Sequence, residues 1–571
     1  MKPSLLKRGL LIAASSMLWS SSLVVQVRAA ETVSAPATGT PVKLVLQITI
    51  DQLRGDLPRV FKERFGPGGF RYLMDKGVFY NNAHYMHADT ETGPGHATLV
   101  TGAQPGQHGI IGGDWWDEST KRIVYSVEDN NYKVFSEHVD TEVGKTQGGR
   151  APTNLESTTF GDELFIASEE TAKIFAVSGK DRSAIIPGGR AGKAFWLEHG
   201  KFVTSSYYFK ELPSWLVAWN NQKIAENYRD KSWDLLQPKS SYWRKDRDDM
   251  SWEGGYKHLG RTMPKKLAAA DDESYYRGLE HTVVGDELVL AFTKDLIQRE
   301  KLGLGSSIDY LSVSFSSTDM VGHTWGVGSL EAEDNILRVD RNLADLFAYV
   351  DKCVGLDKTM IVLSADHGVA DVTEYVQQLG FPALRVDPQA LPKEVNEALK
   401  KRFSTSLDLV QTFTYPYIYL NTDTVSKLNL NLEEVEHAAA AVAMKFPGIY
   451  FAATRGDIMT GRVPALPFMQ RVTNTFHPRR SGNVHVVANQ HALLMHYPWN
   501  LKTGMHGSVW TYDTYVPIFI VAPGVVPKVC SRPVGPQDIA PTISTFIGIK
   551  PPSGSVGIPL AEVVDSPKDS K

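Results

Sequence analysis

The chain has 571 residues, with 60 Lys and Arg against 64 Asp and Glu, a formal net charge of −4 and two cysteines. A balance on the acidic side speaks against nucleic-acid binding, whose affinity rests on basic surface. Two cysteines do not make a disulfide framework, so Cys353 and Cys530 are compatible with one disulfide or with two buried thiols.

Residues 1–29 place Lys2, Lys7 and Arg8 ahead of an apolar stretch from Gly9 to Val27 and end on Val27-Arg28-Ala29. This is the pattern of a secretory signal peptide cleaved after Ala29. Five serines interrupt the stretch, and no later segment is long and apolar enough to span a bilayer, so an exported protein with no lasting membrane anchor is expected. Cleavage removes four basic and no acidic residues and takes the formal charge from −4 to −8. Residues 30–40 are small and polar and read as a flexible leader. The roughly 540 residues that remain exceed what one simple core holds, which predicts a large α/β core with substantial insertions.

Val42 to Ile50 is a nearly continuous apolar run ending in Asp51. It reads as a buried parallel strand that delivers a carboxylate at its C-terminal end. Thr92-Gly93-Pro94-Gly95-His96-Ala97-Thr98-Leu99-Val100-Thr101-Gly102 then reads as a turn feeding a helix, with Pro94 in the first helical turn. Such a helix turns free N–H groups and its positive dipole end toward Thr92, which suits an anionic phosphoryl group beside that hydroxyl. An ordinary threonine N-cap fits the same residues. The strand pattern recurs three times: Ile174 to Val177 leads into Ser178-Gly179-Lys180-Asp181-Arg182, Tyr310 to Phe315 into Ser316-Ser317-Thr318-Asp319, and Met360 to Leu363 into Ser364-Ala365-Asp366-His367-Gly368. Strands whose carboxyl ends carry polar residues are how an open α/β sheet presents a site.

Helices are predicted between them, one over about Asp286 to Lys301 and one through Ile336, Val339, Leu343, Leu346, Phe347 and Val350. The alternation predicts a doubly wound, mostly parallel sheet. Two stretches break the rhythm, and both are expected to pack over the active face. One is an insertion at 205–280, rich in Trp, Tyr, Lys and Asp; the other is a cap insertion at 374–482 with a strand-like Phe413 to Leu420 and a helix from Leu432 to Lys445. Core segments are thus expected at 41–204, 281–373 and 483–571, the last with a strand at Val516 to Val521.

Asp319 and His323 stand four apart, so a helical turn would aim both at one metal. Asp366 and His367 add two ligands of the kind zinc prefers, Asp51 a third carboxylate, and His506 in Thr503-Gly504-Met505-His506-Gly507-Ser508 a third imidazole. Three Asp and three His make two sets of three, enough to hold two metals and leave positions open.

In this set of motifs the chain resembles the alkaline phosphatase superfamily, and within it the secreted bacterial alkaline phosphatases with a threonine nucleophile, the PafA-like branch. The resemblance covers nearly all of the chain after the leader, since the motifs fall in order from Asp51 to His506. It implies an alkaline phosphatase-like fold, two Zn²⁺ per chain, small-molecule phosphate monoesters as substrates and a periplasmic or secreted location; the oligomeric state stays open, a monomer being slightly favoured. Carried over, Asp51, Asp366 and His367 would bind the zinc that also contacts Thr92, while Asp319, His323 and His506 would bind the other. Thr92 would be the nucleophile, and Lys180 and Arg182 would contact the non-bridging phosphate oxygens, favouring a dianionic monoester. One departure stands out. The asparagine that the family usually carries two residues before the tryptophan is Gly113 in Gly109-Ile110-Ile111-Gly112-Gly113-Asp114-Trp115, so that side-chain donor to phosphate is absent.

The alternative within hydrolases is a phosphodiesterase or nucleotide pyrophosphatase on the same two-zinc core. A sulfatase lacks support because no Cys-x-Pro-x-Arg site is present. Export argues against a phosphosugar mutase, and a complete ligand set with a nucleophile argues against a non-catalytic binding protein.

Overall fold

The computed structural model describes residues 42–136, 148–494 and 503–565. The expected signal peptide and leader, 1–29 and 30–40, lie outside the described residues. No helix among the described residues is long and apolar enough to cross a membrane.

The main sheet has nine strands: β1 (Leu44–Ile50), β2 (Val78–His84), β3 (Ile174–Ser178), β4 (Lys193–Glu198), β5 (Lys201–Val203), β6 (Asp309–Phe315), β7 (Thr359–Ser364), β8 (Tyr515–Val521) and β9 (Lys528–Cys530). Their order across the sheet is β9-β2-β8-β7-β1-β6-β3-β4-β5. β7, β1, β6, β3 and β4 run parallel, while β8 lies antiparallel to both β7 and β2. The expected doubly wound, mostly parallel α/β fold is what the chain forms. β1, β6 and β7 are buried at every position, as strands covered by helices on both faces must be, which is why they read as unbroken apolar runs.

Five helices matter for the site: α1 (Thr92–Thr101), α2 (Asp181–Gly188), α3 (Val284–Glu300), α4 (Ser317–Trp325) and α5 (Leu330–Cys353). α5 begins at Ser329, whose side chain accepts from the Ala332 N–H, and buries Ile336, Val339, Leu343, Leu346, Phe347 and Val350 on one face. Cys353 and Cys530 are free thiols.

A second, four-stranded sheet is built from Val410–Thr414, Tyr417–Leu420, Val484–Ala488 and Ile449–Thr454, in that spatial order. Here the expected single strand over Phe413 to Leu420 is corrected. The chain reverses at Tyr415-Pro416, and the two halves pair antiparallel, because a proline has no N–H to give a ladder. The helix Leu432–Ala443 packs on this sheet, and its strand at 484–488 runs past the 482 boundary read from sequence.

The 205–280 stretch is tied to α5 by buried polar contacts. Trp233 Nε1 and Tyr242 OH donate to Asp334 at 2.7 and 2.5 Å, and the Leu236 N–H does so at 2.7 Å. Lys265 Nζ lies 2.6 Å from Glu331 Oε1, both side chains fully buried. Burial pushes the Glu331 carboxyl up to about 7, against the pull of Lys265. Lys265→Met is therefore predicted to cost about 3–5 kcal/mol, since it strands an acidic group in the interior. Adding Glu331→Leu should recover most of that loss. Urea-unfolding midpoints of the single and double variants provide the measurement.

Candidate active site and metal centre

Strand register sets the site. Ile50 pairs with Phe315, Thr49 with Ser364 and Ser314 with Ser178, so β1, β6, β7 and β3 end nearly level. The residues that follow, including Asp51, Asp366 and Lys180, are thereby brought to one edge of the sheet.

α4 starts directly after β6 and aims Asp319 and His323, one turn apart, to the same side. Asp319 Oδ1 lies 3.1 Å from His323 Nε2 and 3.5 Å from His506 Nε2, and the two imidazole nitrogens are 3.3 Å apart. Beside them, His367 Nε2 lies 3.4 Å from Asp51 Oδ1 and 3.8 Å from Asp366 Oδ2, and the rings of His367 and His506 stack at 3.6 Å. Two groups of potential ligand atoms fall within 4.8 Å of one another: Asp319, His323 and His506, and Asp51, Asp319 and His367. The first is the trio expected from sequence. In the second, Asp319 stands nearer to Asp51 and His367 than expected, with Asp366 at slightly longer reach.

The donor chemistry fits metal ions. Each imidazole gives its Nδ1–H to a backbone carbonyl: His323 to Gly504 at 2.7 Å, His506 to Thr90 at 2.8 Å and His367 to Gly368 at 2.9 Å. That fixes the tautomer and leaves every Nε2 lone pair facing the carboxylates. Asp51 Oδ1, Asp366 Oδ2 and His367 Nε2 are buried and make no well-aligned hydrogen bond among the described residues, a state that buried polar atoms rarely tolerate without a ligand. Three carboxylate and three imidazole donors form a set that suits zinc.

Lys180, the residue before α2, places its ammonium 2.6 Å from Asp51 Oδ2 and 2.5 Å from Asp319 Oδ2. Burial opposes its charge, but attraction to Asp319 and Asp51 outweighs burial and raises its pKa. Burial likewise works against ionised Asp319, and His323 and Lys180 nonetheless hold its carboxyl well below the usual range.

Thr92 is the first residue of α1, and the N-cap is Glu91, in extended conformation and without a side-chain cap bond. The hydroxyl is thus not occupied in capping and stands at the positive end of the helix dipole. Arg182 Nη2 reaches Thr92 Oγ1 at 3.4 Å. The Arg182 guanidinium is steadied by Tyr125 OH at 3.4 Å, which donates to Asp181 at 2.7 Å, while Arg150 Nε donates to the other oxygen of Asp181 at 2.8 Å. Burial opposes its charge, but Tyr125 and Asp181 more than compensate and raise its pKa. At Gly113 the backbone N–H donates to Glu91 Oε2 at 2.8 Å, so the position that lacks the asparagine amide also has its main-chain donor engaged.

Other side chains at the site went unread in the sequence. His96 lies within hydrogen-bond reach of the Thr92 carbonyl through Nδ1 at 3.0 Å and of Ser314 Oγ through Nε2 at 3.0 Å, with Asp366 Oδ2 3.2 Å from Nδ1. Its i+4 spacing from Thr92 was the available signal. Tyr85 OH donates to the Ala365 carbonyl at 2.8 Å. Gln52 follows Asp51 and contacts two of the ligand carboxylates. A third ligand-like group, Glu433, His437 and Asp457, lies away from these residues and is exposed to half-exposed, with Arg462 paired to both acids.

The sequence profile of the type I phosphodiesterase / nucleotide pyrophosphatase family matches residues 45–509. The alkaline phosphatase PafA of Elizabethkingia meningoseptica is 33% identical over 531 residues, covering 91% of this chain and 94% of that protein. The alkaline phosphatase PhoV of Synechococcus elongatus is 30% identical over 567 residues, covering 98% of this chain and all of the relative. The crystal structure of wild-type PafA superposes with a TM-score of 0.84 over 92% of this chain and 99% of that one.

The seating of α1 rests on Gly95, where a Cβ would lie 2.0 Å from the Asp366 carbonyl oxygen. Gly95→Ala must push the helix start and the Asp366 segment apart. A displacement near 1 Å costs on the order of 100-fold in rate, so bound metal and phosphate-ester turnover should both fall. Metal analysis and initial rates on the purified variant measure the two effects.

Proposed function

The chain belongs to the type I phosphodiesterase / nucleotide pyrophosphatase family, and from that premise we propose that it is an alkaline phosphatase that hydrolyses small-molecule phosphate monoesters through a phospho-threonine on Thr92. The observation that carries the monoester reading is a pair of cations in the site, one at Thr92 and one on the carboxylates beside it. Arg182 touches Thr92 Oγ1, and the Lys180 ammonium lies against Asp51 and Asp319. A monoester brings two negative charges on its non-bridging oxygens and a diester one, so two cations favour the monoester.

Two zinc ions, one held by Asp51, Asp366 and His367 and the other by Asp319, His323 and His506, would supply Lewis-acid stabilisation of the developing oxygen charge. Thr92 Oγ attacks phosphorus in line, an Oγ–P bond forms, and the ester oxygen departs with the bonding pair and takes a proton. Water then attacks the phospho-threonine, the P–Oγ bond breaks, inorganic phosphate leaves and Thr92 regains its proton. Arg182 orients the phosphoryl oxygens throughout, held by Tyr125 and Asp181. With the signal peptide read over residues 1–29, the reaction belongs to the periplasm or the extracellular space.

A second reading, a phosphodiesterase on the same core, draws support from Gly113. No side-chain amide is present there, and the backbone N–H is engaged by Glu91.

Thr92→Ala should lower turnover by about three orders of magnitude or more while leaving the unfolding midpoint and metal content near wild type. A near wild-type kcat would remove Thr92 as nucleophile. For Lys180→Ala combined with Arg182→Ala, each lost charge-assisted contact is worth roughly 1.5–3 kcal/mol, so monoester kcat/KM should fall by about two to four orders of magnitude. Diester kcat/KM should change much less. Aryl phosphate mono- and diesters assayed side by side make the comparison, and an equal fall for both would put the phosphodiesterase reading first.

A further inference from the structure

Gln52 follows the strand-end carboxylate of Asp51, is buried, and has a φ of +68°. A side chain in this left-handed region costs of order 1–3 kcal/mol, which glycine would not incur. What the glutamine contributes must then lie in its amide. Gln52 Nε2 donates to Asp319 Oδ1 at 2.6 Å, and its backbone N–H donates to Asp366 Oδ1 at 3.1 Å, where the His367 N–H also donates at 3.1 Å. With Oδ1 of Asp366 receiving two N–H bonds, Oδ2 is the oxygen left for a ligand. Gln52 also packs against α4. A Cβ on Gly322 would lie 1.9 Å from Gln52 Oε1, so the bare glycine backbone of α4, one residue before His323, lies directly against the Gln52 amide.

We propose that Gln52 is a positioning residue for the metal centre, a neutral strut that fixes one carboxylate from each ligand set and the approach of the helix carrying His323. The proposal rests on the metal reading above. A neutral amide suits the task because it satisfies a carboxylate lone pair without adding a positive charge that would repel a divalent ion. A lysine or arginine at the same point would compete with the metal.

The test is zinc affinity, measured by competition with a chromophoric chelator on wild type, Gln52→Met and Gln52→Gly. Methionine keeps the bulk and removes the donor. Glycine removes the amide but keeps the N–H to Asp366 and relieves the strained backbone, so it is the variant most certain to fold. Both should bind zinc about 10–100-fold more weakly. At limiting zinc kcat should fall with KM within about two-fold, and excess zinc should restore it. The unfolding midpoint of metal-free Gln52→Gly should match or exceed wild type, which separates loss of affinity from loss of fold. Tight zinc binding by wild type and equally tight binding by Gln52→Gly would overturn this proposal alone. Wild-type protein that takes up no zinc would overturn the metal reading and this proposal with it.

Discussion

Three carboxylates that repel one another, Asp51, Asp319 and Asp366, sit in one buried corner with at most 2% exposure each, and the surrounding structure is arranged to make that tolerable. Removing even one unpaired carboxylate from water is costly, and here three share a corner. Parallel strands bring two of them in as the residues after β1 and β7, and a helix begun at once after β6 brings the third. The opposing positive and polarised groups come from elsewhere: the Lys180 ammonium, three imidazoles with fixed tautomers, and backbone N–H groups of residues 52 and 367. Two are local exceptions: the His367 N–H bonds its chain neighbour Asp366, and His323 stands one turn from Asp319.

The segment of Thr92 is held from two sides. From the core, His96 and Tyr85 tie α1 to β6 and to the end of β7. From the second sheet's side, Thr475 Oγ1 accepts from the Ala88 N–H at 2.6 Å and Asn474 donates to the Met86 carbonyl at 2.6 Å. The loop that carries His506 closes the ring, since Thr90 donates to the Ser508 carbonyl and receives from His506 through its own. The stretch at 205–280 reaches the same loop through the Gly254 N–H on Thr503 Oγ1 at 2.8 Å. Neither stretch is therefore a free appendage.

The buried strands were legible because a strand covered on both faces must be apolar along its whole length, and the ligand-type residues were legible because they stand where such runs stop. β2 escaped notice, since Asn81 and Asn82 interrupt its apolar run at half-buried positions. Phe413 to Leu420 reads as one strand in the sequence because the turn of the hairpin holds only Tyr415 and Pro416, too short a break to interrupt an apolar window. Gln52 and His96 were hidden for a different reason. Each has a hydrogen-bond partner more than 200 positions away, which no local periodicity encodes, and only the spacing of His96 from Thr92 is a local signal. The placement of Asp319 beside Asp51 and His367 depends on how far α4 sinks toward the sheet, a tertiary distance that no local pattern encodes.

The seat of β8 has a consequence for how the molecule comes into being. This strand, from residues 515–521, lies between β2 and β7, from residues 78–84 and 359–364. A ribosome or a translocation pore delivers it late, after all but one of its sheet-mates, so the β2 edge waits unpaired through most of synthesis and the β7 edge from residue 364 onward. Open edges of this kind invite association with other chains, and contacts across such sequence separations form slowly. His506 arrives just ahead of the same strand, and the Asp319 group lacks its last imidazole until then. The nascent chain is thus without a finished ligand set until the segment that closes the sheet is also at hand, which ties competence to bind metal to completion of the fold.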